Sequence, residues 1–274
     1  MTPADFAHVA KLLQERSAIA LEPGKEYLVE SRLLPVAKRH GLATVAAYIA
    51  KLRKPGASGL ADELVEAMVT TETSFFRDVI PFDALRKHVL PELIAARRSE
   101  RRLAIWCAAA SSGQEPFTLA IVLREWFPEL ETWDITFHAT DISNAMLERC
   151  RAGVYSQLEV NRGMPAALLV KWFTQEGARW RIDDRLRKMI AFRQLNLAAW
   201  WPPTPMFDLI FLRNVMIYFD VPTKRDILAK VARTLKPDGL LVLGGAESTL
   251  NLSESFQRVD AYKGGYHRLA AKGA

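Results

Sequence analysis

Three stretches of this chain set polar side chains at the ends of apolar runs, the place where a parallel-sheet protein can bind a ligand. The first is Ala108-Ala109-Ala110-Ser111-Ser112-Gly113-Gln114-Glu115-Pro116, which follows the run RLAIWCAAA and precedes a helical stretch. Small side chains let a ligand approach the backbone, and Gly113 supplies free φ. The same residues read equally as a tight strand-to-helix connection. The pattern is not G-x-G-x-x-G, and the Glu115 carboxylate would repel a pyrophosphate. A cationic cofactor therefore fits this turn better than a dinucleotide. The second stretch is Thr140-Asp141-Ile142-Ser143, with Asp141 placed 28 residues after Gly113. An acid at that strand end can hold a ribose by its hydroxyls. It could instead cap the next helix, but Ser143 or Asn144 can do that and leave Asp141 free. The third is Arg213-Asn214, which abruptly follows FDLIFL; the residues beyond are apolar again, so the pair is expected to line a cleft.

No metal site is expected. His8, His40, His88, His138 and His267 are scattered without an H-x-x-x-H spacing, and two cysteines are too few for a cage. Cys107 lies inside an apolar run and is expected to be a small buried residue; no disulfide is expected.

The elements that must position these residues follow from periodicity. The first 80 residues read as helices. Thr2 can cap the first, with Pro3 at its opening position and Asp5 three residues after the cap. A second spans about 25–39, disturbed near Pro35 and ended by Gly41; Thr44 can cap a third; LADELVEAMV forms a fourth. From about residue 100 the pattern changes. Apolar runs at 102–110, 135–142, 189–196, 207–215 and 240–245 alternate with helical stretches, and YKGGYHRLA at 262–270 reads as a last strand near an antiparallel edge. Such alternation predicts an α/β fold whose parallel sheet is covered on both faces. Residues 171–192 break the alternation and read as a small β-hairpin insertion.

Composition bounds the rest. Of 274 residues, 50% are hydrophobic and 25% charged, which excludes a disordered chain and a disulfide scaffold. No apolar stretch reaches the ~18 residues of a membrane helix. The start MTPADFAHVA lacks a basic segment before an apolar run. The chain is expected to be cytoplasmic, without membrane insertion. A net charge of +6 suggests an acidic partner and names none.

Several stretches closely resemble the CheR-type chemoreceptor glutamate O-methyltransferases. They are TTETSFFRD (70–78), WCAAASSGQEPFTLAI (106–121), ATDIS (139–143), LNL (195–197), FDLIFLRNVMIYF (207–219) and LKPDGLLVLGGAES (235–248). The resemblance implies a small all-α N-terminal domain, residues 1–80 with a linker to about 100. It implies a Rossmann-like class I methyltransferase domain over 101–274, with a β-subdomain at about 171–192. It also implies S-adenosylmethionine as cofactor and S-adenosylhomocysteine as product. Thr71, Thr73 and Arg77 would lie in a linker that closes over the cofactor. Glu115 would face its methionine end and Asp141 its ribose. Asn196 and Leu197 would flank the adenine, and Arg213 with Asn214 would line the pocket near the methyl donor. Tyr218 matches an aromatic next to the substrate, and Arg98, or its neighbour Arg97, a substrate-side arginine. A carboxylate nucleophile is already anionic at neutral pH and needs no general base, which suits motifs without a poised His or Lys.

The implied partner is the helical, glutamate-bearing methylation region of a chemoreceptor. Between Ser31 and Ala61 the chain has six basic residues (Arg32, Lys38, Arg39, Lys51, Arg53 and Lys54) and no acidic one. Such a run is either a solvated face or a docking face for acidic helices. Some family members also grip a peptide at the receptor's C-terminus through the β-subdomain; here the hairpin loop TQEGARWRI looks short, which points to tail-independent methylation. A nucleic-acid methyltransferase is the main rival, but [D/N]-P-P-[F/Y] is replaced by Arg213-Asn214-Val215-Met216 and no nucleic-acid-binding module is recognisable. A non-catalytic cofactor-binding scaffold is a second rival, weakened by intact Glu115, Asp141, Asn214 and Tyr218.

Overall fold

Four amphipathic helices open the chain in the computed structural model, which describes residues 1–271. They are α1 (Pro3–Ser17), α2 (Glu26–Arg39), α3 (Val45–Leu52) and α4 (Ser58–Met68). The Thr2 hydroxyl and the Asp5 carboxylate form a reciprocal capping box on α1, and Thr44 caps α3. Pro35 is accommodated inside α2. Their apolar stripes close on one another: Val9, Leu13, Val29, Leu33, Tyr48, Ile49 and Leu64 are fully buried in a core of their own.

The next segment behaves differently from a linker. α5 (Ile80–Ala84), a π turn over 85–89 and α6 (Leu90–Ala96) run on as one helical stretch. Phe75, Phe76, Phe82, Leu85, Val89, Leu90 and Leu93 are buried in the same core as the large sheet. The helical unit thus stops near residue 69, and residues 75–96 pack as part of the sheet-bearing unit. The boundary at 80 and the linker to about 100 are corrected accordingly. The reason is physical: two adjacent phenylalanines and an amphipathic helix cannot stay solvated when an apolar sheet face is at hand.

The sheet has seven strands: β1 (Arg102–Ala108), β2 (Asp134–Asp141), β6 (Ala191–Gln194), β7 (Phe207–Leu212), β8 (Leu235–Leu243), β9 (Phe256–Arg258) and β10 (Tyr266–Leu269), in the order β6-β2-β1-β7-β8-β10-β9. The first five pair in parallel, and β10 runs antiparallel to both β8 and β9. The centre of the sheet is buried throughout β7 and along β1 beyond Arg102, which is why both read as unbroken apolar runs. Helices α7 (Gln114–Trp126), α8 (Asn144–Ala152) and α12 (Val221–Thr234) carry the crossovers. β10 lies near the antiparallel edge as expected, one strand in from the three-residue β9.

The β-subdomain is a three-stranded antiparallel sheet rather than a lone hairpin. β4 (Phe173–Glu176) and β5 (Arg179–Ile182) form the expected hairpin, closed by Gly177-Ala178, while β3 (Val154–Ser156) comes directly after α8 and pairs with the far side of β5. Short helices α9 (Gln157–Asn161), α10 (Ala166–Trp172) and α11 (Asp184–Arg187) complete it, so the 171–192 stretch begins at the end of α10 and runs into the first residues of β6. Among the described residues no helix is long and apolar enough to cross a membrane.

Candidate active site

The carboxyl ends of β1, β2 and β7 open into one cleft, about 900 Å³ when its solvent-filled mouth is counted. It lies between β1 and its neighbours at the point where the strand order reverses, the standard ligand position of such sheets. Its walls include Thr71, Thr73, Arg77, Glu115, Asp141, Asn196, Leu197, Arg213, Asn214 and Tyr218. All nine residues expected at a cofactor, and Tyr218, are therefore brought together.

Arg98 is not among them. It borders a surface depression with Ile94, Arg101 and Thr132, beside the start of β1 and hence at the opposite end of the sheet. Its neighbour Arg97 is buried and bound to Asp208 at 2.7 Å and to Asp238, a structural knot at that same end. The arginine that reaches the cleft from the preceding segment is Arg77. The spacing of ARRSERR does not distinguish an arginine before a strand's beginning from one at its end.

The turn after β1 is held by strained backbone. Ala109 and Ser111 adopt left-handed φ of 55° and 50°, and Gly113 has φ of 96°. A side chain at Gly113 would meet the Tyr155 hydroxyl at 2.9 Å and the Cys150 sulfur at 3.0 Å, so this position requires glycine twice over. Non-glycine residues in that region cost on the order of 1–3 kcal/mol each and persist where their surroundings over-determine them. Here the determinants are visible: Asp141 accepts from Ser111 N at 2.8 Å, Tyr155 donates to Ser112 O at 2.8 Å and the Ser111 hydroxyl donates to Thr71 O at 2.6 Å.

Asp141 is thus not as free as its sequence context suggests. Ser143 does cap α8, but Asp141 accepts from the Ser111 and Ser143 backbone amides while still facing the cleft. Burial holds its carboxyl above the ordinary range, partly offset by those amides. Asn196 is similarly engaged: its amide donates to Arg16 O at 2.8 Å and accepts from Ala198 N at 3.0 Å, so it shapes the loop beside Leu197.

Glu115 is buried and receives the Arg213 guanidinium at 2.5 Å and the Cys107 thiol at 3.4 Å. Burial raises its carboxyl above the usual range, and Arg213 opposes that rise. Arg213 has a side chain with 0% exposure, also binds Asp78 at 2.7 Å and the Arg77 carbonyl, and leaves its buried Nε without a hydrogen-bond partner. A buried acid, a buried base with a spare donor and a second acid on a neighbouring segment form a donor set suited to a zwitterion, one carrying both an ammonium and a carboxylate. Burial pushes the Cys107 thiol far up, so it is no nucleophile.

The helical unit supplies part of the wall. Ser17 and Ile19 line the cleft; Ile19 bridges to Phe219 and Ala20 N donates to Tyr218 O at 3.0 Å. Glu66 of α4 accepts from the Ser143 hydroxyl and from Asn144 N. Neither these contacts nor Asp78 can be read from the sequence: each joins residues far apart in the chain and none sits in a periodic pattern.

Comparison with known proteins now decides the family. Residues 4–69 match the family model described as CheR methyltransferase, all-alpha domain, and residues 71–264 match CheR methyltransferase, SAM binding domain. The chain belongs to the CheR methyltransferase family. It is 38% identical over 270 residues to chemotaxis protein methyltransferase 1 of Pseudomonas aeruginosa, covering 97% of each chain. It is 35% identical to chemotaxis protein methyltransferase Cher2 of Pseudomonas putida, covering 95% of this chain and 96% of that one. A Vibrio parahaemolyticus chemotaxis protein methyltransferase is 36% identical, with 97% and 96% covered. The cleft-bearing unit is accordingly an S-adenosylmethionine-binding domain of the class I methyltransferase fold.

The implied basic face is reduced by the structure. Arg53 pairs with Asp5 at 2.8 Å, Arg39 with Glu63 at 3.5 Å, and Arg32 donates to Met68 O and Thr70 Oγ1. Lys38, Lys51 and Lys54 are exposed and, among the described residues, make no ion pair. Half of the run is spent on internal contacts.

Proposed function

We propose that this chain transfers the methyl group of S-adenosylmethionine to glutamate side-chain carboxylates in the helical methylation region of chemoreceptors, giving glutamate methyl esters and S-adenosylhomocysteine. The observation that carries this reading is the make-up of the cleft. Two buried acids, Glu115 and Asp141, lie within, Arg77 and Tyr218 line it, and among the described residues no His, Lys or Cys contributes to the wall. With Glu115 and Asp141 already engaged by Arg213 and backbone amides and, among the described residues, no imidazole or amine on the wall, the site suits a nucleophile that arrives ionised, and a protein carboxylate is one.

S-adenosylmethionine supplies an activated methyl group when bound. The protein's share is to bind, orient and exclude water. Glu115 neutralises the ammonium and sulfonium charge, and Arg213 offers its spare Nε–H to the amino-acid carboxylate. Asp141 holds the ribose hydroxyls, Leu197 packs beside the adenine with Asn196 fixing that loop, and Asn214 stands near the transferring group. Thr71, Thr73 and Arg77 close the cleft from the segment between the two units. Tyr218 hydrogen-bonds the incoming carboxylate and Arg77 draws it in without a buried ion pair that would blunt it. Lys38, Lys51 and Lys54 steer acidic receptor helices, an attraction that salt weakens. The reaction takes place in the cytoplasm and, given the two-residue turn Gly177-Ala178, without a receptor tail peptide as anchor.

The test is incubation of the purified chain with methyl-labelled S-adenosylmethionine and a soluble receptor methylation fragment. Label released as methanol by mild base identifies a carboxyl methyl ester. Label that stays on the fragment, or none incorporated, refutes the proposal.

A further inference from the structure

Beyond Leu212 the chain leaves the sheet and builds one wall of the cleft. Arg213, Asn214 and Val215 line it, and a short 3₁₀ turn, Met216–Tyr218, then presents Tyr218. This segment has left the ladder of the sheet, and Asn214 sits in the left-handed region with φ of 57°. The three successive amides Asn214, Val215 and Met216 converge, an arrangement that forms an anion-binding hollow.

One side chain fills that hollow. The Glu247 carboxylate accepts from Asn214 N at 2.7 Å and Gly244 N at 2.8 Å through Oε2, and from Val215 N at 2.9 Å and Met216 N at 2.7 Å through Oε1. Glu247 stands in the loop after β8, where Gly245, Ala246 and Ser248 flank it. The closeness is enforced at Gly244, where a Cβ would come within 2.8 Å of Glu247 Oε2 and 2.9 Å of Asn214 Nδ2. Four charge-assisted bonds from one carboxylate are a large local investment. All but one go to the wall that carries Asn214 and Tyr218.

We infer that Glu247 is a positioning residue of the transfer reaction, holding the Asn214–Tyr218 wall in register with Glu115 at the start of α7 and Asp141 at the end of β2. It touches neither reactant and acts through the backbone it clamps. The inference rests on the proposed reaction for its kinetic consequence, but the clamp itself can be read without it.

E247Q keeps the shape and one acceptor oxygen, so it retains at most one pair of the four bonds and turns an NH₂ towards the other two amides. E247A removes all four. Misplacing a reacting group by about 1 Å costs on the order of 100-fold in rate, so kcat on a receptor fragment should fall roughly 10- to 100-fold in E247Q and further in E247A. The Kd for S-adenosylhomocysteine should stay within about threefold, because Glu115 and Asp141 belong to other elements. Amide exchange in peptides over 213–219 should quicken while β1 peptides stay protected. E254Q, which removes the same charge from an exposed site nearby, should match the unmodified protein. A folded E247Q with unchanged kcat overturns the inference, as does a rate loss accompanied by loss of protection across the whole domain. Should the unmodified chain methylate no receptor fragment, the proposed function fails. Exchange over 213–219 then judges the clamp alone, and unchanged exchange in E247Q overturns it.

Discussion

Replacing Glu115 by Gln is the most direct probe of the cleft. The substitution preserves size and leaves an acceptor for the Arg213 guanidinium now 2.5 Å away, but removes the one buried negative charge beside it. A hydrogen bond between a charged pair contributes about 1.5–3 kcal/mol, against roughly half that for its neutral counterpart. The ammonium of S-adenosylhomocysteine would meet Arg213 with only the half-exposed Asp78 as counter-charge, so the upper part of that range applies. The expected loss in affinity is roughly 40- to 150-fold by titration calorimetry. The protein should also melt earlier, since a buried cation keeps a single anionic partner, so binding must be measured well below the new midpoint. An E115Q protein that is folded and binds within threefold of the original refutes the role given to Glu115. The pH dependence supplies a second reading with a definite sign. Burial raises the carboxyls of both Glu115 and Asp141 above their ordinary values of 4.5 and 3.8. Their ionisation in the folded chain therefore opposes stability above those values, and the opposition disappears as pH falls. On this reading cofactor affinity needs the ionised forms and should weaken as pH drops towards the raised values, while protonation of these two acids adds to the stability of the folded chain.

Other substitutions separate the remaining assignments. Arg77→Ala should reduce kcat/KM at least tenfold, whereas Arg98→Ala, at the far end of the sheet, should leave both kcat and the cofactor Kd unchanged in the methanol-release assay. Tyr218→Phe should lower kcat by about tenfold or more with little change in S-adenosylhomocysteine binding; a tenfold loss of affinity at constant turnover would contradict its placement. Phe75→Ala empties a buried site lined by the Tyr155 and Phe173 rings at 5.1 and 5.6 Å, and should cost about 3–5 kcal/mol in chemical denaturation. Reversing the charge of Lys38, Lys51 and Lys54 together should slow receptor methylation several-fold at low salt while leaving cofactor affinity intact, and equal rates would remove the steering argument.

The parts of the fold readable in the sequence are those whose burial leaves a one-dimensional trace. β1 and β7 are covered on both faces, so RLAIWCA and FDLIFL are continuous apolar runs, and the polar groups just past them mark the cleft. β3 and β9, three residues each, carry no such trace and are invisible in it. The family resemblance names residues expected around a cofactor, and the structure gathers them at one cleft. It does not reveal what those residues already hold: Arg213 and Glu115 meet across 98 positions. Likewise a run of six basic residues looks uniform until folding sets Asp5 and Glu63 against two of them. The expectation for Arg98 fails for the same reason, because spacing alone does not tell which end of a strand an arginine serves.

The seam between the two units has a bearing on engineering. Since Ser17 and Ile19 line the same cleft as Glu115 and Asp141, and Ala20 is hydrogen-bonded to the backbone of Tyr218, the helical unit cannot be exchanged like a cartridge. A chimera that borrows another relative's helices, to test whether they choose the receptor, must import residues 14–20 matched to the host's 195–220 segment. Otherwise it will inherit the new address and lose the chemistry.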